Sequence, residues 1–152
     1  MKDMNKKIYL GSDHAGFDLK TKIMGYLKKE GYEVCDCGNT VYDASDDYIE
    51  FAKKVSTEVV KHNSMGILIC GTGSGMCITA NKIKGIRAVN TDNVEIAKLT
   101  RQHNDSNILC LAGRFIDSKK AKEVVKAWLE TEFSNMENHI RRIKKISGIE
   151  NS

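Results

Sequence analysis

The 152-residue sequence predicts an α/β fold: a doubly wound α/β/α sandwich of about five mainly parallel strands with helices on both faces. Two observations carry this. Short apolar runs alternate with amphipathic runs of helical period along the whole chain, the pattern of successive βαβ units. At the centre, Gly66 to Ile69 is a short apolar run with β-branched Ile67 and Ile69, which suits a strand buried on both faces of a parallel sheet. It runs into Cys70 and then glycines at alternate positions, Gly71, Gly73 and Gly75, before Met76, Ile78 and Ala80 resume at helix-compatible spacing.

Taken in order, Lys7 to Leu10 reads as the first strand, ending in Gly11-Ser12-Asp13-His14-Ala15-Gly16. A helix follows over about Phe17 to Glu30, with Leu19, Ile23 and Leu27 on one face and Gly31 as its stop. Tyr32 to Cys37 is a second strand and Gly38 to Asp47 a polar loop. Ile49, Ala52, Val55 and Val59 then mark the inner face of a helix. After the central strand and its glycine turn, Ile86 to Val89 is a fourth strand. Asp92 to Leu99 is a helix capped by Asp92. Ile108 to Ala112 is the fifth strand, stopped by Gly113. Ser118 caps a helix that carries Ala121, Val124, Val125, Trp128 and Leu129 on one side, and a last amphipathic helix covers about 136–147. The arrangement is Rossmann-like, one domain over 1–152.

Composition excludes several classes. A chain with 41% hydrophobic and 29% charged residues is an ordinary soluble protein, and no window suits a membrane span. Met1 to Lys7 contains Asp3 and no apolar run, so no signal peptide is expected. Five cysteines at irregular spacing argue against a disulfide framework and for a reducing, cytoplasmic setting. Cys35 and Cys37 read as facing opposite sides of a strand and so make no metal pair. The net charge of +4 does not point to a nucleic-acid partner. Pro is absent, so Gly, Asn, Asp and Ser make the turns.

A strand, a glycine-rich turn and a helix start aim several backbone N–H groups at one spot, where they bind a phosphate or an anion that forms during a reaction. Ligands of such sheets bind at the carboxyl ends of the strands. There the first strand delivers Asp13 and His14, the third Cys70 with Thr72 and Ser74, and the fifth is flanked by His103, Asn104 and Arg114. These groups are expected to converge. Singly, each has a plainer reading: Asp13 as a turn residue, Cys70 as a small buried hydrophobe, the histidines and Arg141, Arg142, Lys144 and Lys145 as solvated surface. The dinucleotide fingerprint fails, because Met76 stands at the third glycine position and the following strand ends in Val89-Asn90-Thr91.

Five segments in order, Gly11-Ser12-Asp13-His14-Ala15-Gly16, Cys70-Gly71-Thr72-Gly73-Ser74-Gly75, Ala80-Asn81-Lys82, Gly85-Ile86-Arg87-Ala88 and Arg101-Gln102-His103-Asn104-Asp105, resemble the type B ribose-5-phosphate isomerases. The wider family includes galactose-6-phosphate isomerase subunits. The resemblance implies an aldose–ketose isomerase of the pentose phosphate pathway with no cofactor and no metal. It also implies a homodimer, or a dimer of dimers, whose active sites are shared between subunits. It makes Cys70 the base that moves a proton between C1 and C2, and Thr72 with His103 the ring-opening pair. The amides of Gly71, Gly73, Ser74 and Gly75 hold the enediolate charge. Asp13 and Asn104 take sugar hydroxyls, Tyr48 lines the site, and His14, Arg114 and Arg142 bind the phosphate, with Arg142 brought by the C-terminal helix from the partner. Two departures stand out. Ile49 replaces a proline after Asp47-Tyr48, and Asn138 stands where a first phosphate arginine belongs, which leaves either one guanidinium fewer on the phosphate or Arg141 to compensate. Six-carbon substrates such as allose 6-phosphate or galactose 6-phosphate are the alternative, and a non-catalytic sugar-phosphate or nucleotide binder is a further one.

Overall fold

The computed structural model describes residues 6–152; the leader reading of Met1 to Asn5 lies outside the described residues. Five strands, β1 (Ile8–Ser12), β2 (Val34–Asp36), β3 (Met65–Cys70), β4 (Ala88–Asn90) and β5 (Ile108–Ala112), form one sheet in the order β2-β1-β3-β5-β4, and every pairing is parallel. The helices are α1 (Phe17–Lys29), α2 (Tyr48–His62), α3 (Ser74–Ala80), α4 (Val94–Asn104), α5 (Ser118–Glu130) and α6 (Glu137–Glu150). Ile67, Leu68 and Ile69 of β3 are wholly buried, because helices cover both faces. On one face Ile23, Leu27, Val124 and Trp128 pack on Leu10, Ile67 and Leu109. On the other, Val55, Val59, Met76 and Ala80 pack on Leu68, Ile108 and Cys110. Among the described residues no helix is long and apolar enough to cross a membrane.

Several expectations shift. α4 is capped by Asn93, whose side chain accepts from the Ile96 N–H at 2.9 Å, rather than by Asp92. α5 is capped by Asp117, which accepts from the Lys120 N–H at 2.8 Å, rather than by Ser118. In each case the neighbour one position away holds the extended backbone a cap requires. α4 runs on to Asn104 and α6 to Glu150, past their expected ends. Ile49 is exposed, and Tyr48 takes the first inner position of α2 in its place. Cys35 and Cys37 share a side of the sheet, as residues two apart on a strand do, and both pack under α2. Burial, then Cys35, pushes the Cys37 thiol up to about 12.

α6 docks through one buried residue, His139. Its Nδ1 lies 2.6 Å from Ser134 Oγ, and its ring lies 4.6 Å from that of His103. Burial, then the proximity of His103 and Arg142, holds the His139 pKa below its ordinary 6.5. The native state thus binds fewer protons at this site than the unfolded chain, so stability rises with pH through this window and is lost as pH falls below 6.5. Denaturant titrations between pH 5 and 7 should show that slope. Replacing His139 with Gln should flatten it.

Candidate active site

In the strand order the chain leaves β1 toward β2 and returns on the other side of β1 as β3. That reversal opens a crevice between the carboxyl ends of β1 and β3. Ser12 pairs with Ile69 across it, so Asp13 and Cys70 are the next residues along the two strands.

Asp13 begins a 3-10 turn over His14–Gly16 and is 8% exposed; its Oδ1 accepts from the Gly16 N–H at 3.2 Å. Its plain role as a turn residue is therefore real, and one carboxylate oxygen serves it. The loop before α2 folds back over the next residue. Asp46 Oδ1 accepts from the His14 backbone N–H at 3.1 Å and lies 2.9 Å from His14 Nδ1.

Cys70 ends β3 and is 5% exposed. Its carbonyl accepts from the Gly113 N–H at 2.7 Å, and the Gly71 carbonyl accepts from the Arg114 N–H at 3.1 Å, which clips the turn to the end of β5. Thr72 Oγ1 accepts from the Ser74 N–H at 3.3 Å and helps to close the turn. Gly73 has φ of 79°, and a Cβ there would lie 2.6 Å from Asn90 Oδ1; only glycine meets both constraints. A Cβ on Gly75 would lie 2.5 Å from the Tyr48 ring, so the start of α2 rests directly on the start of α3. The Arg114 side chain lies across Gly71. An open cleft of about 240 Å³ between Thr72, Asn90, Asp92 and Phe115 adjoins the turn. A larger hollow of about 380 Å³ sits outside α2, between Cys37, Phe51 and Glu58, with no part of this constellation in it.

Asp13, His14, Tyr48, Cys70, Gly71, Thr72, Gly73, Ser74, Gly75 and Arg114 thus share one edge of the sheet. His103 and Asn104 do not join them, contrary to the expectation of convergence, and Arg142, expected from a partner subunit, lies near His139 and His103 of its own chain. α4 carries the chain back from the end of β4 to the beginning of β5, so its last residues lie at the amino edge. The amino edge is roughly 15 Å away along a five-residue strand. There Arg87 Nε donates to the carbonyls of Asn104 and Asp105, and His103 packs on His139. Arg141 is engaged by Glu137 at 2.9 and 3.0 Å, and Asn138 Oδ1 accepts from the His139 N–H.

Sequence reasoning missed three residues. Asn90 donates from Nδ2 to the Thr72 carbonyl at 3.1 Å and braces the turn; its only signal was a polar residue closing an apolar strand. Asp46 sits in an acidic loop where nothing in the pattern separates it from Asp43 or Asp47. His139 serves in the sequence only to align the C-terminal segment with the family's pattern, and no role is read for it there.

A thiol, a rim of backbone amides, an imidazole, a carboxylate and a guanidinium around one crevice suit proton transfer next to a carbonyl on an anionic substrate. The Ribose/Galactose Isomerase family matches residues 8–146. A probable ribose-5-phosphate isomerase B of Mycoplasma pneumoniae is 40% identical over 148 residues, 97% of each chain. The structure of ribose-5-phosphate isomerase B from Mycoplasma genitalium with bound ribulose-5-phosphate superposes with a TM-score of 0.94 at 40% identity, covering 98% of this chain and 99% of that one. That of Clostridium thermocellum ribose-5-phosphate isomerase B gives 0.92 at 44% identity, over 95% and 97%. A match spanning the sheet, the glycine turn and the α4 motif alike means that the chain belongs to the ribose/galactose isomerase family.

Proposed function

We propose that this chain interconverts ribose 5-phosphate and ribulose 5-phosphate, and that it does so as a homodimer with two shared active sites. The observation that carries the reading is Cys70, held at the β1/β3 crevice beside a rim of amides that a mere binder would not need to pair with a thiol. The sugar ring opens as Thr72 and His103 pass a proton between the ring oxygen and the anomeric hydroxyl. Cys70 as thiolate takes the proton from C2 of the aldose, and the electron pair moves onto the carbonyl oxygen to give an enediolate. The same group returns the proton to C1 while the proton on O2 passes to O1, and the ketose forms. The amides of Gly71 to Gly75 hold the oxyanion, where one such donor is worth roughly 2.7–4 kcal/mol in other enzymes. Asp13 and Asn104 take sugar hydroxyls beside Tyr48, and His14, Arg114 and Arg142 take the phosphate. No step requires a metal or a cofactor. Free cysteines suit the cytoplasm.

The distance between His103 and Cys70 within one chain supports the dimer, in which a second copy, its α6 reaching across, supplies His103, Asn104 and Arg142. The uncovered side chains of Ile146 and Ile149 support this. Arg141 is occupied by Glu137 and Asn138 carries no charge, which leaves Arg142 as the arginine of α6 to serve.

Purified chain should isomerise ribose 5-phosphate in buffer containing chelator, and Cys70→Ala should abolish turnover while the fold persists. Activity retained in Cys70→Ala would remove the thiol as base. A wild type active only on a six-carbon aldose phosphate would transfer the same mechanism to a larger sugar. The shared site has its own test. Cys70→Ala and His103→Ala, each inactive alone, should regain about a quarter of wild-type activity when refolded together in equal amounts, since each mixed dimer contains one intact site. Sites confined to one chain would regain none.

A further inference from the structure

The loop between β2 and α2 spends an almost buried carboxylate on one histidine. The Asp46 side chain is 5% exposed, and its Oδ1 faces both the backbone N–H and the Nδ1 of His14. Its Oδ2 accepts from Asn39 Nδ2 at 3.4 Å. Asn39 is itself tied down, since Lys20, 1% exposed, donates to its carbonyl and to Asp36 Oδ1 at 2.8 Å. Tyr42 from the same loop stands edge-on to the His14 ring at 6.2 Å.

An ionised carboxylate only accepts, so a 2.9 Å contact to Nδ1 requires the proton on that nitrogen. The ring is then turned with Nδ1 inward and Nε2 directed away from the loop. Asp13, His14 and Asp46 place one ligand atom each within 4.8 Å, a donor set that a cation could use. Yet Asp13 is engaged by Gly16, and the His14–Asp46 spacing is that of a direct hydrogen bond.

We infer that Asp46 is a positioning residue: it fixes the tautomer and orientation of His14 so that Nε2 meets the phosphate of the substrate. This rests on the isomerase reading above, and Asp46 touches no reacting atom. An outer carboxylate that orients a working imidazole is a recurring device, best documented around metals. Here the imidazole would serve an anion.

The test compares wild type, Asp46→Asn, His14→Ala and the double variant by steady-state kinetics on ribose 5-phosphate. Asp46→Asn should lower kcat/KM about tenfold or more, mostly through KM. It should add no further loss once His14 is Ala, and Asp46→Glu should recover part of the activity. A loss of equal size in both backgrounds, or no loss at all, overturns the assignment, because a merely structural role would not depend on the imidazole. Nitrogen NMR of the wild-type His14 ring, assigned by its disappearance in His14→Ala, decides the matter without any change at position 46. A proton on Nδ1 is expected, and a neutral ring protonated only at Nε2 would overturn the proposal. Failure of the isomerase reading itself would appear separately, as a wild type without turnover, and the NMR result would still stand.

Discussion

Parallel pairing of all five strands is the constraint from which the rest follows. Parallel strands finish at the same edge, and each connecting helix must carry the chain back to the other. Every loop is thereby assigned to one of two edges before any side chain is considered. The reversal of strand order between β1 and β3 then parts two neighbouring loops at the carboxyl edge and leaves a crevice there. Asp13 and Cys70 face that crevice because they directly follow paired positions of the ladder.

What makes the crevice a rigid cradle is contact between loops that are distant in sequence. The Tyr48 ring lies on Gly75, the Asn90 amide on Gly73, and the Gly113 N–H holds the Cys70 carbonyl. Three strand ends and the start of α2 thus share the load of one short turn. Amides held this way need not reorganise when charge develops near them, which is where electrostatic catalysis gains most.

The fold was legible because its signals are local. The apolar run of β3, the α1 stripe of Leu19, Ile23 and Leu27, and the α5 set around Trp128 all stand as the periodicity implies. Capping slipped by one position twice, since Asp92 and Asn93, or Asp117 and Ser118, are both able caps and only the backbone angles choose between them. The site was half legible. Residues that follow a strand were placed correctly, whereas His103 and Asn104 were grouped with them by nearness in sequence to β5, although they precede that strand and lie at its opposite end. Asp46 and Asn90 were invisible for a different reason: their value lies in what they touch, and no spacing encodes a contact 18 residues away, as from Asn90 to Thr72, or 32 away, as from Asp46 to His14.

The depth of Cys70 bears on how the enzyme meets thiol reagents. At 5% exposure its sulfur admits a slender electrophile far more readily than a bulky one. Cys77 is more open, so large probes reach it more readily. Thiol counting with a bulky dye would register Cys77 and Cys35 ahead of the group at the crevice. Covalent inhibitors aimed at this family would therefore be sorted by girth before they are sorted by reactivity.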